Sequence, residues 1–307
     1  MELRHLRYFL AICDAGGFTA AARQLHLAQP ALSQQIRALE DELGVTLIER
    51  GARTRGLTEA GAQFAVHARR ILLDAEAAVE EMAAHAGARR GTVRFGSALQ
   101  TLTEGRLPRL LAEFHRRHPE VRVAFREAHT APLLDDLAAG QLDLALIHLG
   151  GSDGAATRQV GGGDAPLAIE SLYREPLVVV VGPRHRLAGR AAVRLAELAE
   201  EEFVSFAPGS TVRELVARAA LQAGFEPRAT VSAMNLGTVR ALVSAGLGVS
   251  VLPRTALALP GPPLRGLRLT APALSRVVAL AHNSIRYRSP STQRFGEFLR
   301  EGLTRRP

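Results

Sequence analysis

Cysteine is nearly absent from this sequence: Cys13 stands alone. A single thiol excludes an internal disulfide and a cysteine-based zinc site. It is expected as a small buried residue on the first helix. Long apolar runs are missing as well, and none reaches the ~18–20 residues of a membrane span. The opening "MELRHLRYFLAICDAGG" is too polar and too periodic for the unbroken apolar core of a signal peptide. The expectation is therefore a cytoplasmic protein with no membrane partner. Lysine is absent, so all 38 basic side chains are arginine, set against 30 acids for a net charge of +8. That surplus tempts one toward nucleic acid, but its distribution weakens the inference. Residues 1–90 hold 11 arginines and 11 acids, while the remainder holds 27 and 19. What decides between partners is where particular arginines sit.

What is present is ordinary for a globular chain: 47% hydrophobic and 22% charged residues. The length of 307 residues points to about two domains. Three helices can be read before residue 45. In the first, Leu3, Leu6, Phe9, Leu10 and Cys13 recur at spacings of three and four, and "AGG" at 15–17 ends it. The second is short, with Thr19 as its expected N-cap and Ala22, Leu25 and Leu27 as its apolar residues. The third is "AQPALSQQIRALEDELG". Leu32, Ile36, Leu39 and Leu43 form one narrow stripe, the expected core face. Pro30 fits the first helical position and Gly44 the C-terminal stop.

Gln29, Pro30, Ser33, Gln34 and Arg37 lie away from the core stripe. A polar stripe opposite a core stripe is ordinarily a solvated face. Two helices and a third across a short turn also describe a helix-turn-helix, whose last helix can enter the DNA major groove. There Gln29, Ser33 and Gln34 could bond base edges, and the Pro30 ring could touch a thymine methyl. The helix alone does not decide between solvent and DNA. The next segment, "VTLIERGARTRGLTEAG", reads as a hairpin with Arg50, Arg53 and Arg55 near its tip, suited to phosphate and narrow minor grooves. The acidic run Glu40-Asp41-Glu42 is expected to face away from phosphate at the far end of the third helix.

At this point a resemblance becomes specific. "FTAAARQLHLAQPALSQQIRALEDELGVTLIERGARTRGLTEAG" resembles the N-terminal domain of LysR-type transcriptional regulators. The pattern is carried by Ala21, Ala22, Leu25, Gln29, Pro30, Ala31, Ser33, Ile36, Leu39, Glu40, Leu43, Gly44, Leu47, Arg50, Leu57, Thr58 and Gly61. Ile48 departs from it, where phenylalanine is commoner, and this is a core exchange. The resemblance spans about 60 residues and implies promoter double-stranded DNA as partner. Thr19, Gln29, Pro30, Ser33, Gln34, Arg37, Arg50, Arg53 and Arg55 are the candidate DNA contacts.

From Thr58 to about Ala86 there is no proline and alanine dominates. Phe64, Ala68, Ile71, Ala75, Ala78 and Met82 alternate at +4 and +3, a heptad seam, with Ala65, Leu72, Val79 and Ala86 beside it. A core helix of a larger domain is the plain alternative. Thr58 as cap and the break at "GARRG" favour an exposed helix pairing with a second copy. The resemblance agrees, implying a homodimer or a homotetramer, with RNA polymerase as a further candidate partner.

After residue 91 strands and helices alternate: "TVRFGS", a helix over Leu107–His118, "VRVAFRE", "APLLDDLAAG" and "LDLALIHL". This βαβαβ order predicts a mostly parallel sheet with ligand sites at strand C-terminal ends. The glycine-rich stretch 150–166 reads as a loop or crossing point, and its "GGGD" lacks the strand–turn–helix of a phosphate loop. "YREPLVVVVGPRHRLAG", "EEFVSFAP", "ATVSAMN" and "LGVSVLP" continue the α/β theme, and "RVVALAHNS" with a closing helix returns to the first lobe.

The expected fold class is thus multidomain. An all-α winged helix-turn-helix with a small β wing occupies 1–58, and a linker helix 59–88. A two-lobed α/β effector domain over 91–307 is implied, by resemblance, to have the type 2 periplasmic-binding-protein fold. Lobe I is placed at about 91–160 and 268–307, and lobe II at about 167–265. Strand ends nominate Ser97, Gln100, Thr101, Thr130, His148, Ser205 and Asn235 as effector contacts. Hydroxyls at helix N-termini suit an anion such as a carboxylate, and each equally fits a simple helix cap. No serine elbow, paired catalytic carboxylates or metal-spaced histidine cluster stands out, so no catalytic residue, metal or cofactor is expected. His115 and His118 are read as surface residues. Paired-thiol peroxide sensing would want two cysteines in the C-terminal half, which has none. The alternative is a cytoplasmic small-molecule-binding protein or enzyme with an inactive DNA head.

Overall fold

The computed structural model describes residues 1–49, 56–85, 91–98, 106–150 and 166–304. They fall into two compact units, the first running from Met1 through the long helix and the second holding the α/β lobes.

In the first unit, α1 (Leu3–Ala15) buries Leu6, Phe9, Leu10, Ala11 and Ile12. Its buried face is wider than the sequence stripe because α1 packs on three other helices. Leu3, at its first turn, is 40% exposed. The helix stops at Gly16, which adopts the left-handed conformation (φ 69°) that a Cβ disfavours. The chain turns within Gly16-Gly17, so α2 (Phe18–Gln24) begins directly afterwards with Gly17 in the cap position. Thr19 is therefore not the N-cap; it is the second helical residue and exposed. Helix α3 (Gln29–Leu43) buries Leu32, Ile36 and Leu39, as the stripe requires, and ends at left-handed Gly44. Pro30 is its second residue, not its first. The N–H at that position also lacks an intrahelical partner, so proline is tolerated there equally well.

A short antiparallel stem follows. Ile48 bridges Leu57, Glu49 N donates to Gly56 O at 3.0 Å, and Thr58 N donates to Leu47 O at 3.0 Å. The hairpin tip, with Arg50, Arg53 and Arg55, lies outside the described residues. Helix α4 (Glu59–His85) starts where expected: Thr58 Oγ1 accepts from Gly61 N at 2.9 Å and donates to Thr46 O at 2.7 Å. Gly61 is required by a close approach, since a Cβ there would lie 1.9 Å from the Leu47 carbonyl oxygen. The first half of the heptad seam serves this chain's own core. Ala68 is fully buried, and Phe64 packs on Phe9 with ring centroids 5.3 Å apart. Ile71, Ala78, Val79 and Met82 are exposed and Ala75 is half-buried.

In the second unit, β1 (Gly91–Ala98), α5 (Arg106–Arg117), β2 (Val121–Ala128), α6 (Thr130–Ala138) and β3 (Leu144–Gly150) form the anticipated βαβαβ, with β1 parallel to both β2 and β3. Next come β4 (Leu167–Val181), the two-residue β5 (Ala192–Val193), β6 (Glu202–Phe206), α7 (Thr211–Gln222) and β7 (Arg228–Ala233). They are followed by α8 (Leu236–Ser244), β8 (Ser250–Pro253), β9 (Arg265–Leu269), β10 (Ser275–Asn283) and α9 (Pro290–Thr304). The large sheet has the order β2-β1-β3-β10-β4-β9-β5, with β8 also on β4, while β6 and β7 pair in parallel. Phe95, Phe114 and Phe295 form an edge-to-face cluster that seats α5 and α9 on one face of lobe I.

Strand β4 moves the lobe boundary. Its residues 167–176 pair with β10 and belong to lobe I, whereas 177–181 pair with β8 and β9 in lobe II. The second lobe thus starts near 177 rather than 167. The return comes at β10 rather than at 268, because β9 is a lobe II strand. One long strand passes through both lobes, so no break in pattern marks the crossing.

Candidate nucleic-acid interface and ligand cleft

In the first unit, burial of Leu32, Ile36 and Leu39 turns the opposite side of α3 outward. Gln29, Pro30, Gln34 and Arg37 are exposed, and Ser33 is half-buried. Gln29 Nε2 donates to Ser33 Oγ at 3.0 Å, holding two of these polar groups together. Gln29, Ser33 and Arg37 lie one helical turn apart and line a groove of about 390 Å³ closed on its other side by Glu49, Gly56 and Leu57 of the hairpin stem. Thr19 does not line it. The groove floor includes Cys13, whose thiol donates to Phe9 O at 3.2 Å and is pushed up to about 11, chiefly by burial.

Within the acidic run at the far end of α3, Glu40 is buried, and its Oε1 accepts from Leu47 N (2.9 Å) and Ile48 N (3.2 Å). It ties the end of α3 to the hairpin stem. Asp41 and Glu42 are exposed, and Glu42 pairs with the Met1 amino group.

The second unit has a narrow cleft at the C-terminal ends of β1 and β3, where the parallel sheet predicts it. Thr130 opens α6 on one side of it, and Gly209, Ser210 and Thr211 form the start of α7 on the other. The His148 carbonyl bridges them, accepting from Thr130 Oγ1 at 3.1 Å and from Thr211 Oγ1 at 3.3 Å. The floor is a buried charge chain. Arg276 is fully buried, directly opposite Glu175 across the β10–β4 pair. Its Nε and Nη2 donate to Glu175 Oε2 at 2.7 and 2.6 Å, and its Nη1 lies 3.2 Å from His148 Nδ1. Thr255, in the 3-10 turn Arg254–Ala258 of lobe II, donates to the other carboxylate oxygen of Glu175. Burial, then the Arg276 charge, pushes the His148 imidazole well below its usual range, so it is neutral.

Of the expected effector contacts, the structure brings together Thr130 and His148 here. Ser97 is fully buried beside the cleft residue Ala98 and is not part of the lining. Gln100 and Thr101 lie outside the described residues. Ser205 sits half-buried on β6, and Asn235 caps α8 by accepting from Thr238 N at 3.0 Å; neither lines this cleft. Sequence reasoning missed Ser210, Thr211, Glu175 and Arg276. Arg276 did carry a signal, as a lone charge inside the apolar strand "SRVVALA", since a charge placed among core residues must be paired or functional. Among the described residues no cluster of histidine, cysteine, aspartate or glutamate could hold a metal ion, and no helix is long and apolar enough to cross a membrane.

A profile of bacterial regulatory helix-turn-helix proteins of the lysR family matches residues 3–62, and a LysR substrate binding domain matches 86–304. The transcriptional dual regulator GltC of Bacillus subtilis (strain 168) is 31% identical over 97% of this chain and 96% of its own length. A full-length OxyR variant from Pseudomonas aeruginosa superposes with a TM-score of 0.74 at 27% identity, covering 99% of this chain and 94% of that one. Full-length CbnR in complex with its target DNA gives 0.66 at 27% identity, over 98% and 100%. With both halves matched in order and the groove and cleft in place, this chain belongs to the LysR family of DNA-binding transcriptional regulators.

Proposed function

We propose that this chain regulates transcription in the cytoplasm by reading promoter DNA as a homo-oligomer, under control of a small anionic effector held between the lobes. The observation that carries the DNA reading is the exposed row Gln29, Ser33 and Arg37 beside the hairpin stem, with the opposite face of α3 locked into the core. CbnR, a structural neighbour over its full length, is solved with its target DNA. Hydrogen-bonding side chains on a rigid helix can report base identity, while the arginines of the hairpin tip suit phosphate. Exposed Ile71, Ala78, Val79 and Met82 on α4 supply the surface for pairing two copies; a tetramer would be a dimer of such dimers. The reading is of a binding protein that acts on RNA polymerase at promoters, not of an enzyme.

A gel shift with the DNA upstream of its own gene tests this reading. Gln29→Ala or Ser33→Ala should weaken binding to that DNA by about 1–3 kcal/mol, with a much smaller loss on random DNA of equal length. Equal losses on both would remove base reading from α3, and no shift at all would favour a ligand-binding protein with an inactive head.

A further inference from the structure

The groove between α3 and the hairpin stem contains an acid. Glu49 is exposed on the stem and lines that groove together with Gln29, Ser33 and Arg37 of α3. Its main chain is fixed by the bond from its N–H to Gly56 O at 3.0 Å. Its carboxylate lies over Gly56, where an added Cβ would stand 3.5 Å from Oε2. The stem itself is anchored, because Glu40 accepts from Leu47 N and Ile48 N. Neither the Glu49 carboxylate nor the Arg37 guanidinium has a hydrogen-bond or ion-pair partner among the described residues. Two opposite charges therefore share one groove, and each is free to bond a group from outside the chain.

An unpaired surface acid is ordinarily just solvated. On a surface that meets DNA it has a consequence. Duplex DNA carries a phosphate charge about every 1.7 Å along its axis, so a lone carboxylate there opposes docking unless a donor meets it. Phosphates only accept, and the donors of the major groove are the amino groups at cytosine N4 and adenine N6. Adenine sets its N7 acceptor beside the amino group, which repels a carboxylate. Cytosine has no acceptor on that edge, and acidic side chains pair with its N4. The guanine across from it presents O6 and N7, two acceptors that match the planar donors of a free arginine. A groove with one free acid and one free arginine thus matches a G·C pair better than an A·T pair.

We propose that Glu49 is a specificity-determining residue, accepting the N4 amino hydrogen of a cytosine in the cognate site and repelling duplexes that lack one there. The inference rests on α3 and the stem being the DNA-reading face. Both effects act on the ratio of affinities, since specificity is a difference between the right partner and the wrong ones. Arg37 has the donors for the paired guanine.

The test uses the full chain, the DNA upstream of its own gene, and every single base-pair substitution across the footprint on that DNA. Neither Glu49→Ala nor Glu49→Gln should change the urea midpoint, because the carboxylate holds nothing in the fold; a lowered midpoint in both makes the residue structural and overturns the proposal. The wild type should prefer cytosine at one position of each half-site by about fivefold or more, as one mismatched pair allows. Glu49→Ala should flatten the preference at that position alone. It should also bind random DNA of equal length more tightly, since a negative charge is gone. Glu49→Gln should move the preference from cytosine to adenine, whose N6 and N7 a glutamine can pair bidentately. Glutamine keeps the shape of the side chain, so this variant carries the test even if the alanine variant is unstable. Unchanged base preferences in both variants, or an equal change on every sequence, overturn the proposal. If Gln29→Ala and Ser33→Ala still lose sequence-dependent affinity, the DNA-reading function stands and only Glu49 is removed from it. A wild type that shifts no DNA overturns that function and this inference together.

Discussion

At the scale of single residues, the buried carboxylate of Glu40 and the half-buried thiol of Cys13 each take their role from their surroundings. Glu40 sits in a run of three acids, and its carboxylate satisfies two backbone N–H groups of the hairpin stem. Removing an acceptor from buried donors costs about 1–3 kcal/mol. Glu40→Ala should therefore lower stability in urea by about that amount. It should also speed hydrogen exchange at the Leu47 and Ile48 amides more than in the α1 core. Unchanged exchange at those two amides would show that the carboxylate does not hold the stem. Cys13 shows the opposite relation, since its place on the first helix was legible and its chemistry follows from burial. A thiol pushed up to about 11 stays protonated at neutral pH, and the nucleophile is the thiolate.

At the scale of elements, α4 separates two uses of one heptad. The pattern Phe64, Ala68, Ile71, Ala75, Ala78, Met82 is continuous in sequence, but Phe64 and Ala68 pack inside their own chain. Ala68 is fully buried against the helical core. Ala68→Leu should overpack that core and lower stability by about 1–3 kcal/mol, leaving the sedimentation coefficient of the folded protein unchanged. A shift in oligomeric state with native stability would place Ala68 at the intermolecular seam instead. The same distinction explains what could be read in advance. Periodicity gave α3, α4 and the βαβαβ order, because apolar spacing follows directly from helix and strand geometry. It could not reveal that β4 crosses from one lobe to the other between Pro176 and Leu177, because the strand pattern continues through the crossing. Thr130, at the start of α6, and His148, on β3, both line the cleft. Periodicity missed Arg276, Glu175 and Ser210, which meet only through strand pairing and lobe packing distant in sequence.

At the scale of the whole molecule, the exposed end of α4 is the feature one chain leaves unexplained. Val79 is 70% and Met82 59% exposed, three residues apart on the same side of the helix, and Ile71 lies two turns earlier on that seam. An isolated apolar residue at a surface is ordinary. A row with helical spacing on a 27-residue helix has the form of a two-fold seam, in which each side chain meets its own copy or a neighbour of it. Fully burying a valine or methionine stabilises by about 1.5–3 kcal/mol, and a two-fold seam counts each residue twice. Val79→Glu with Met82→Glu replaces that gain with four carboxylates facing one another. The proposed dimer should therefore dissociate roughly a hundredfold or more readily in sedimentation velocity. The secondary structure of the chain should not change, since neither residue belongs to an intrachain core. Binding to a DNA with two half-sites should fall with the dimer, because a single head makes half the phosphate and base contacts. If the double variant sediments as the wild type does, the copies pair through another surface and α4 carries its apolar row for a different partner.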